Sequence, residues 1–373
     1  MRCELKGIYV INSLEGGGAE RVFSTLVTLI SEDIENSDIE VILLDKKNES
    51  YLLPSKIVVH RIGMSNPVGS FFKYLKIVKK IKPDYVVSFL TRANQYNVFG
   101  TLFTQYKSLI SERSNTSNRL NGRFKNIKKF LVTFLYNKAD CIISVSKGVE
   151  DCLVNDFKID SNKIKLLNNA INIEKVTKLA ETSEQVHAND YIVAMGRLVK
   201  TKGFSYLIKA YAKANLSSDL LILGDGPEKA HLKELAIELN VQDKVHLKGF
   251  QANPYPYIKQ SQFFVLSSEL EGFPNALVEA LGLGKAVLAT DCTDGPSEIL
   301  NLEQKINLKD VVKAQYGLLV NIRDEEALAK GLLMFEQDTE LKNKYEQQSI
   351  LCAQQYSPEN FYNNYKGILK NYV

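Results

Sequence analysis

Short apolar runs alternate with longer amphipathic stretches along the chain. Gly7–Asn12, Ile39–Leu44, Ile57–Val59, Tyr85–Phe89, Cys141–Val145 and Ile164–Leu167 read as strands. Ala19–Ile30, Phe71–Ile81, Arg123–Asn137 and the residues from Lys147 onward read as helices. Continuous apolar strands separated by helices argue for parallel sheets covered on both faces. A polar tract, Thr182–Asp190, interrupts the pattern and predicts a linker. The alternation then restarts, with strands at Tyr191–Met195, Leu220–Leu223, Val245–Leu247, Phe263–Leu266, Ala286–Ala289 and Tyr316–Val320. Helices are expected at Gly203–Ala214, Glu228–Leu239 and Pro274–Leu283, and three more near Glu325–Phe335, Leu341–Gln355 and Pro358–Lys370. The expected architecture is α/β, with two Rossmann-like domains over 1–175 and 176–355 and a terminal segment over 356–373. In such proteins ligands gather at the carboxyl ends of the strands.

Composition agrees with two ordinary cores: 373 residues, 45% hydrophobic and 24% charged. The net charge of +4 is too small to demand a nucleic-acid partner. The five cysteines (Cys3, Cys141, Cys152, Cys292 and Cys352) are dispersed, with no CxxC pair. That pattern predicts reduced thiols in a cytosolic protein. His60, His187, His231 and His246 are equally scattered in sequence, so no zinc site is expected. No run is long and apolar enough to span a bilayer, and the first fourteen residues lack a signal-peptide core.

Three segments carry candidate chemistry. Glu15-Gly16-Gly17-Gly18 follows the first strand and opens a helix, so backbone amides can approach an anion there. It is not the dinucleotide fingerprint, because Arg21 stands where the third glycine belongs, and Gly224-Asp225-Gly226 fails the same test at Lys229. Gly196-Arg197 with Lys202-Gly203 places two cations five residues apart beyond a strand, a spacing that can neutralise a diphosphate. In Glu271-Gly272-Phe273-Pro274-Asn275-Ala276-Leu277-Val278-Glu279, Pro274 is expected at the first helical position, with the Asn275 and Ala276 amides open to phosphate. Glu279 sits within an apolar run, where a carboxylate is costly unless it accepts hydrogen bonds; two vicinal sugar hydroxyls would supply them.

In this order and spacing, the glycine loops, Gly196-Arg197 with Lys202-Gly203, Gly224-Asp225-Gly226-Pro227 and the Glu-x7-Glu of Glu271 and Glu279 resemble retaining glycosyltransferases of family 4. Ser88-Phe89-Leu90-Thr91-Arg92, Ser111-Glu112-Arg113-Ser114-Asn115 and Asp291-Cys292-Thr293-Asp294-Gly295-Pro296 look most like bacterial members that extend polyprenyl-diphosphate-linked glycans. The resemblance implies the GT-B fold: two Rossmann-like domains with a ligand cleft between them and a C-terminal helix crossing back to the first. It implies a UDP-sugar donor, no cofactor and no required metal. By the same resemblance Arg197, Lys202 and Glu271 serve catalysis. Gly17, Gly18, Gly196, Gly224, Gly226, Gly272, Phe273, Asn275, Ala276 and Glu279 complete the donor site. Many relatives carry a histidine after the fourth strand; here Thr91, Arg92 or Asn94 takes its place, with Glu112 and Arg113 also assigned to the acceptor or sugar side.

Charge is uneven in the first half. Phe71–Lys82 holds five lysines and no acid, and Arg119–Lys138 holds six cations and no acid beside Phe124, Phe130, Leu131, Phe134, Leu135 and Tyr136. Basic amphipathic helices of this kind suit an anionic membrane surface, and the alternative is a core-facing stripe with a solvated basic face. No nucleic-acid reading motif accompanies them. The expectation is a cytoplasmic enzyme, peripheral on the inner face of the cell membrane, that moves a hexose or N-acetylhexosamine from a UDP-sugar to a lipid-linked saccharide in capsule, O-antigen or related assembly. A sugar-nucleotide epimerase and a non-catalytic nucleotide-sugar-binding subunit are the competing readings.

Overall fold

A computed structural model describes residues 5–33, 38–64, 66–115, 117, 125–302 and 310–373. Cys3, Arg119, Arg123 and Phe124 lie outside the described residues. The chain forms two compact units, Met1–Ala170 with Pro358–Val373, and Ile171–Ser357.

The first unit runs β1 (Gly7–Ile11), α1 (Gly18–Glu32), β2 (Ile39–Leu43), β3 (Val58–Arg61), α2 (Pro67–Ile81), β4 (Tyr85–Phe89), α3 (Thr91–Gly100), β5 (Lys107–Glu112), α4 (Lys125–Tyr136), β6 (Cys141–Ser144), α5 (Lys147–Phe157) and β7 (Ile164–Leu166). Its seven strands order as β3-β2-β1-β4-β5-β6-β7, every pairing parallel. β1 and β4 are buried at every position, as their unbroken apolar sequences require. The strand order reverses direction between β1 and β4, so the loops after these two strands part and leave a crevice at the carboxyl edge. Sequence periodicity missed α3 and β5, because buried asparagines and serines break their apolar pattern.

The second unit contributes α6 (Ile173–Ala180), β8 (Tyr191–Met195), α7 (Phe204–Ala214), β9 (Asp219–Leu223), α8 (Lys229–Glu238), β10 (Val245–Gly249), α9 (Tyr255–Gln260), β11 (Phe264–Leu266), α10 (Asn275–Gly282), β12 (Val287–Thr290), α11 (Pro296–Ile299), β13 (Val312–Lys313), β14 (Leu318–Val320), α12 (Glu325–Gln337) and α13 (Thr339–Gln354). Its order is β10-β9-β8-β11-β12-β14-β13, parallel except for the antiparallel edge strand β13, with the switch between β8 and β11. The first unit's main segment ends at Ala170, and α6 packs on α9 and α10 inside the second unit. The second unit ends at Ser357. Thr182–Asp190 lies within the second unit and is no linker, since its His187 bonds to Asp219 and its Val186 amide to Gln260.

The last helix, α14 (Pro358–Lys370), belongs to the first unit and packs on α1. Phe361, Tyr362, Tyr365, Ile368 and Leu369 join the cluster that contains Tyr9, Phe23 and Tyr85. The Tyr365 hydroxyl bonds that of Tyr9, and the Tyr362 hydroxyl donates to Asp33 at 2.8 Å. Burial pushes the Tyr9 and Tyr365 hydroxyls well above their ordinary pKa, so both stay neutral and can pair. Truncating a buried aromatic ring removes its transfer energy and leaves a cavity. Tyr365→Ala should therefore destabilise the first unit by about 3–5 kcal/mol in urea unfolding, whereas Lys370→Ala, an exposed position, should stay within about 0.5 kcal/mol.

Candidate active site

In the second unit, the loops at the carboxyl ends of β8, β9, β11 and β12 interlace. After β8, the Gly196 amide donates to the Leu223 carbonyl at 3.0 Å and the Leu198 amide to the Asp225 carbonyl at 3.0 Å. Gly224 has φ +140°, and a Cβ there would stand 1.9 Å from the Gly196 carbonyl oxygen. A Cβ at Gly226 would fall 2.4 Å from the Leu198 carbonyl oxygen. The Gly224-Asp225-Gly226 turn is therefore a packing surface for the Gly196–Leu198 loop.

The Gly196–Lys202 segment then closes on β11. Residues Lys200–Lys202 form one 3-10 turn ending at Gly203, whose φ is +65°. A Cβ at Gly203 would lie 2.0 Å from the Ser267 carbonyl oxygen. The Ser267 hydroxyl donates to the Lys202 carbonyl at 2.9 Å, and the Glu269 amide donates to the Thr201 carbonyl at 2.8 Å. This contact brings Lys202 Nζ to 2.5 Å from Glu271 Oε1, across the β8/β11 switch point. Ser268 Oγ donates to the same oxygen at 2.6 Å. A carboxylate held by an ammonium and a hydroxyl is oriented before any ligand arrives. Cys292 is buried close by; burial, with the Glu271 charge, pushes its thiol up and keeps it neutral. Arg197 stands exposed just beyond Gly196.

Several expectations for the Glu271–Glu279 segment change. Pro274 is the N-cap, not the first helical residue. The Asn275 amide donates to the Phe273 carbonyl at 2.9 Å, so it does not project from the helix start; Ala276 follows in the first turn. Phe273 is buried edge-on against Tyr356 at 5.5 Å and is a core residue. Gly272 is partly exposed beside Glu271. Gly295, at φ +111°, abuts Pro274 and seats the β12 loop against this segment. Glu279 is buried on α10, and Tyr255 Oη of α9 donates to its Oε1 at 3.4 Å. Part of the carboxylate's need for donors is thus met from within the unit.

In the first unit, Gly17 caps α1 with extended backbone, and Gly18 begins the helix in an exposed loop. Leu90 follows β4 at φ +76°, a conformation rare for a branched side chain. It starts α3, placing Thr91 and Arg92 in the first turn at the sheet's switch point. Arg92 Nη2 pairs with Asp45 Oδ2 at 2.5 Å. Asn94 is fully buried, accepts from Ser88 Oγ at 2.9 Å and donates to the Ser111 carbonyl at 3.0 Å. Glu112 is also fully buried and accepts from Tyr136 Oη at 2.7 Å. Arg113 donates Nη1 to the Leu167 carbonyl at 3.0 Å and to Asn169 at 3.2 Å, with its guanidinium 4.9 Å from the Phe89 ring centre. Burial pushes its pKa down to about 9, against the pull of Glu112, so it remains charged at neutral pH. Its Nε and Nη2 are buried without a hydrogen-bond partner.

Ser268, Tyr255 and Leu90 were missed in the sequence. Ser268 had a signal, standing three residues before Glu271; the other two had none. His187 and His246, isolated in sequence, converge on Asp219.

The family model described as Glycosyltransferase Family 4 matches residues 16–175, and that described as Glycosyl transferases group 1 matches 177–351. The chain is 34% identical over 354 residues to the N-acetylgalactosamine-N,N'-diacetylbacillosaminyl-diphospho-undecaprenol 4-alpha-N-acetylgalactosaminyltransferase of Campylobacter jejuni, covering 91% of this chain and 92% of that one. It is 22% identical to an amylovoran biosynthesis glycosyltransferase of Erwinia amylovora, covering 95% and 96%. Among solved structures, Anabaena HepE in complex with UDP superposes with TM-score 0.80 at 18% identity, covering 98% of this chain and 100% of that one. With its two parallel-sheet units and the relationship to the Campylobacter enzyme, the chain belongs to the family 4 glycosyltransferases and has the GT-B fold.

Proposed function

We propose that the protein is a retaining transferase that moves a hexose or N-acetylhexosamine from a UDP-sugar to a polyprenyl-diphosphate-linked saccharide, in capsule, O-antigen or related glycan assembly. The observation that carries this reading is the Lys202–Glu271 pair, held with Ser268 where ligands collect in the second sheet. The activity for which the Campylobacter relative is named, on a diphospho-undecaprenol-linked acceptor, and the UDP bound to HepE support the choice of acceptor and donor.

As the glycosidic bond to the diphosphate breaks, negative charge develops on the leaving oxygens. Arg197 and Lys202 stabilise it, an electrostatic contribution that no metal is needed to supply. Glu271 binds hydroxyls of the transferred sugar, and Lys202 exchanges part of its bond to Glu271 for the diphosphate. Glu279 binds the ribose hydroxyls. The acceptor hydroxyl attacks on the face the diphosphate leaves, and a leaving phosphate oxygen takes its proton, so configuration is retained. Neither glutamate acts as a base.

The first unit carries the acceptor, and its surface suits a membrane-borne one. On α4, only Val132, Leu135 and Tyr136 are buried, while Ile127, Phe130, Leu131 and Phe134 are exposed among lysines. The ring of Phe71 on α2 contacts those of Phe72, Phe99 and Phe103, and the last three are exposed. No described helix is long and apolar enough to cross a membrane. Exposed aromatics with basic neighbours fit peripheral attachment to the anionic inner face.

In a thermal-shift panel of UDP-, GDP- and ADP-sugars, UDP-sugars should stabilise the chain; no stabilisation by any of them would overturn the donor assignment. Product analysis should find free UDP and a lengthened lipid-linked glycan, whereas an epimerised donor would mark the competing enzyme class. Glu279→Gln should raise the donor KM roughly 10- to 100-fold, as expected for weakened hydrogen bonds to a charged group, with kcat little changed in steady-state kinetics. The protein should sediment with anionic vesicles at low salt and be released at high salt; equal binding to neutral vesicles would remove the electrostatic attachment.

A further inference from the structure

At the amino ends of β8, β9 and β10, opposite the loops described above, three side chains converge. Asp219 is the first residue of β9, His246 the second of β10, and His187 precedes β8. His187 Nε2 lies 2.7 Å and His246 Nε2 3.2 Å from Asp219 Oδ2, and the three candidate ligand atoms all fall within 4.8 Å of one another. The side chains of His187 and Asp219 are 11% and 6% exposed, and that of His246 is 31% exposed. Burial pushes the Asp219 carboxyl up, but hydrogen bonds from His187, Asn189 and His246 more than offset this and leave it below its ordinary value.

We infer that His187, Asp219 and His246 form a zinc-class divalent-metal site, separate from the transferase site. Two imidazoles and one carboxylate are a donor set of that borderline class. Tetrahedral bonds of roughly 2.0–2.1 Å put ligand atoms about 3.3 Å apart, so the 2.7 Å His187–Asp219 contact must open by about 0.6 Å, and ligand atoms up to 4.8 Å apart must draw together. The exposed edge of His246 gives entry and leaves the fourth position to water. Asn189 Nδ2, 3.1 Å from Asp219 Oδ2, orients the carboxylate from behind. Lys248 opposes the ion: its Nζ lies 3.5 Å from His187 Nδ1, and a metal on Nε2 requires the imidazole hydrogen on Nδ1, so binding must turn Lys248 away. The five residues of β9, roughly 17 Å of strand, separate Asp219 from the Gly224 turn. The ion's role is accordingly to fasten the 182–190 segment to the sheet.

The test uses the full chain without a polyhistidine tag, treated with chelator and then titrated with ZnCl2 by calorimetry, with Co2+ absorption as a probe of tetrahedral geometry. The expected result is one site per chain with Kd below roughly 10 µM and a melting temperature raised by about 5 °C at a hundredfold excess over Kd. His246→Ala and His187→Ala should each weaken binding at least about tenfold, with metal-free melting measured first to establish folding. Lys248→Ala should tighten it, a result that a purely hydrogen-bonded cluster does not produce. Absence of saturable binding by the wild-type chain, or binding unaffected by both histidine substitutions, would overturn the site.

Discussion

The donor side of this enzyme depends on backbone approach too close for a β-carbon. At Gly203, Gly224 and Gly226 a methyl group would stand 2.0, 1.9 and 2.4 Å from a neighbouring carbonyl oxygen. These contacts lace the loops after β8, β9 and β11 into one surface. Only because Gly203 sits against Ser267 does Lys202 come within an ion-pair distance of Glu271. The cation that would meet a diphosphate and the carboxylate that would meet a sugar are thus set by main-chain packing, with Ser268 holding the carboxylate. Preorganisation of this sort lowers the cost of forming the charged transition state, because the dipoles do not have to reorient during the reaction.

The first unit solves a different problem. The unit buries polar groups around its sheet, and two of them draw partners from neighbouring elements: Asn94 from Ser88, Ser111 and Tyr136, and Glu112 from Tyr136. Such a network is costly if incomplete and specific when satisfied. It supports the strained Leu90 and the turn that carries Thr91 and Arg92. Both faces of the sheet bury apolar clusters, and on one of them α14 closes the cluster around Tyr9, so the last residues of the chain are part of the first core. Among the described residues of the unit, rings on α2, α3 and α4 remain exposed.

The sequence by itself determined the two α/β halves, most strands, the terminal helices and the spacing of Gly196, Arg197, Lys202, Glu271 and Glu279. These are legible because apolar periodicity and glycine punctuation are local signals. It placed Thr182–Asp190 outside the core, since nothing local tells a polar loop tied to a sheet edge from a linker. It left the hydrogen-bond partners of Asn94 and Glu112 unread, because a polar residue buried in a network and one facing a substrate look alike in one dimension. Only the tertiary structure decided that Lys202 meets Glu271, that the Asn275 amide is taken by Phe273, and that His187 and His246 share Asp219. Each of those pairings depends on strand order and loop register, which join residues far apart in the chain and leave no trace in the spacing between them.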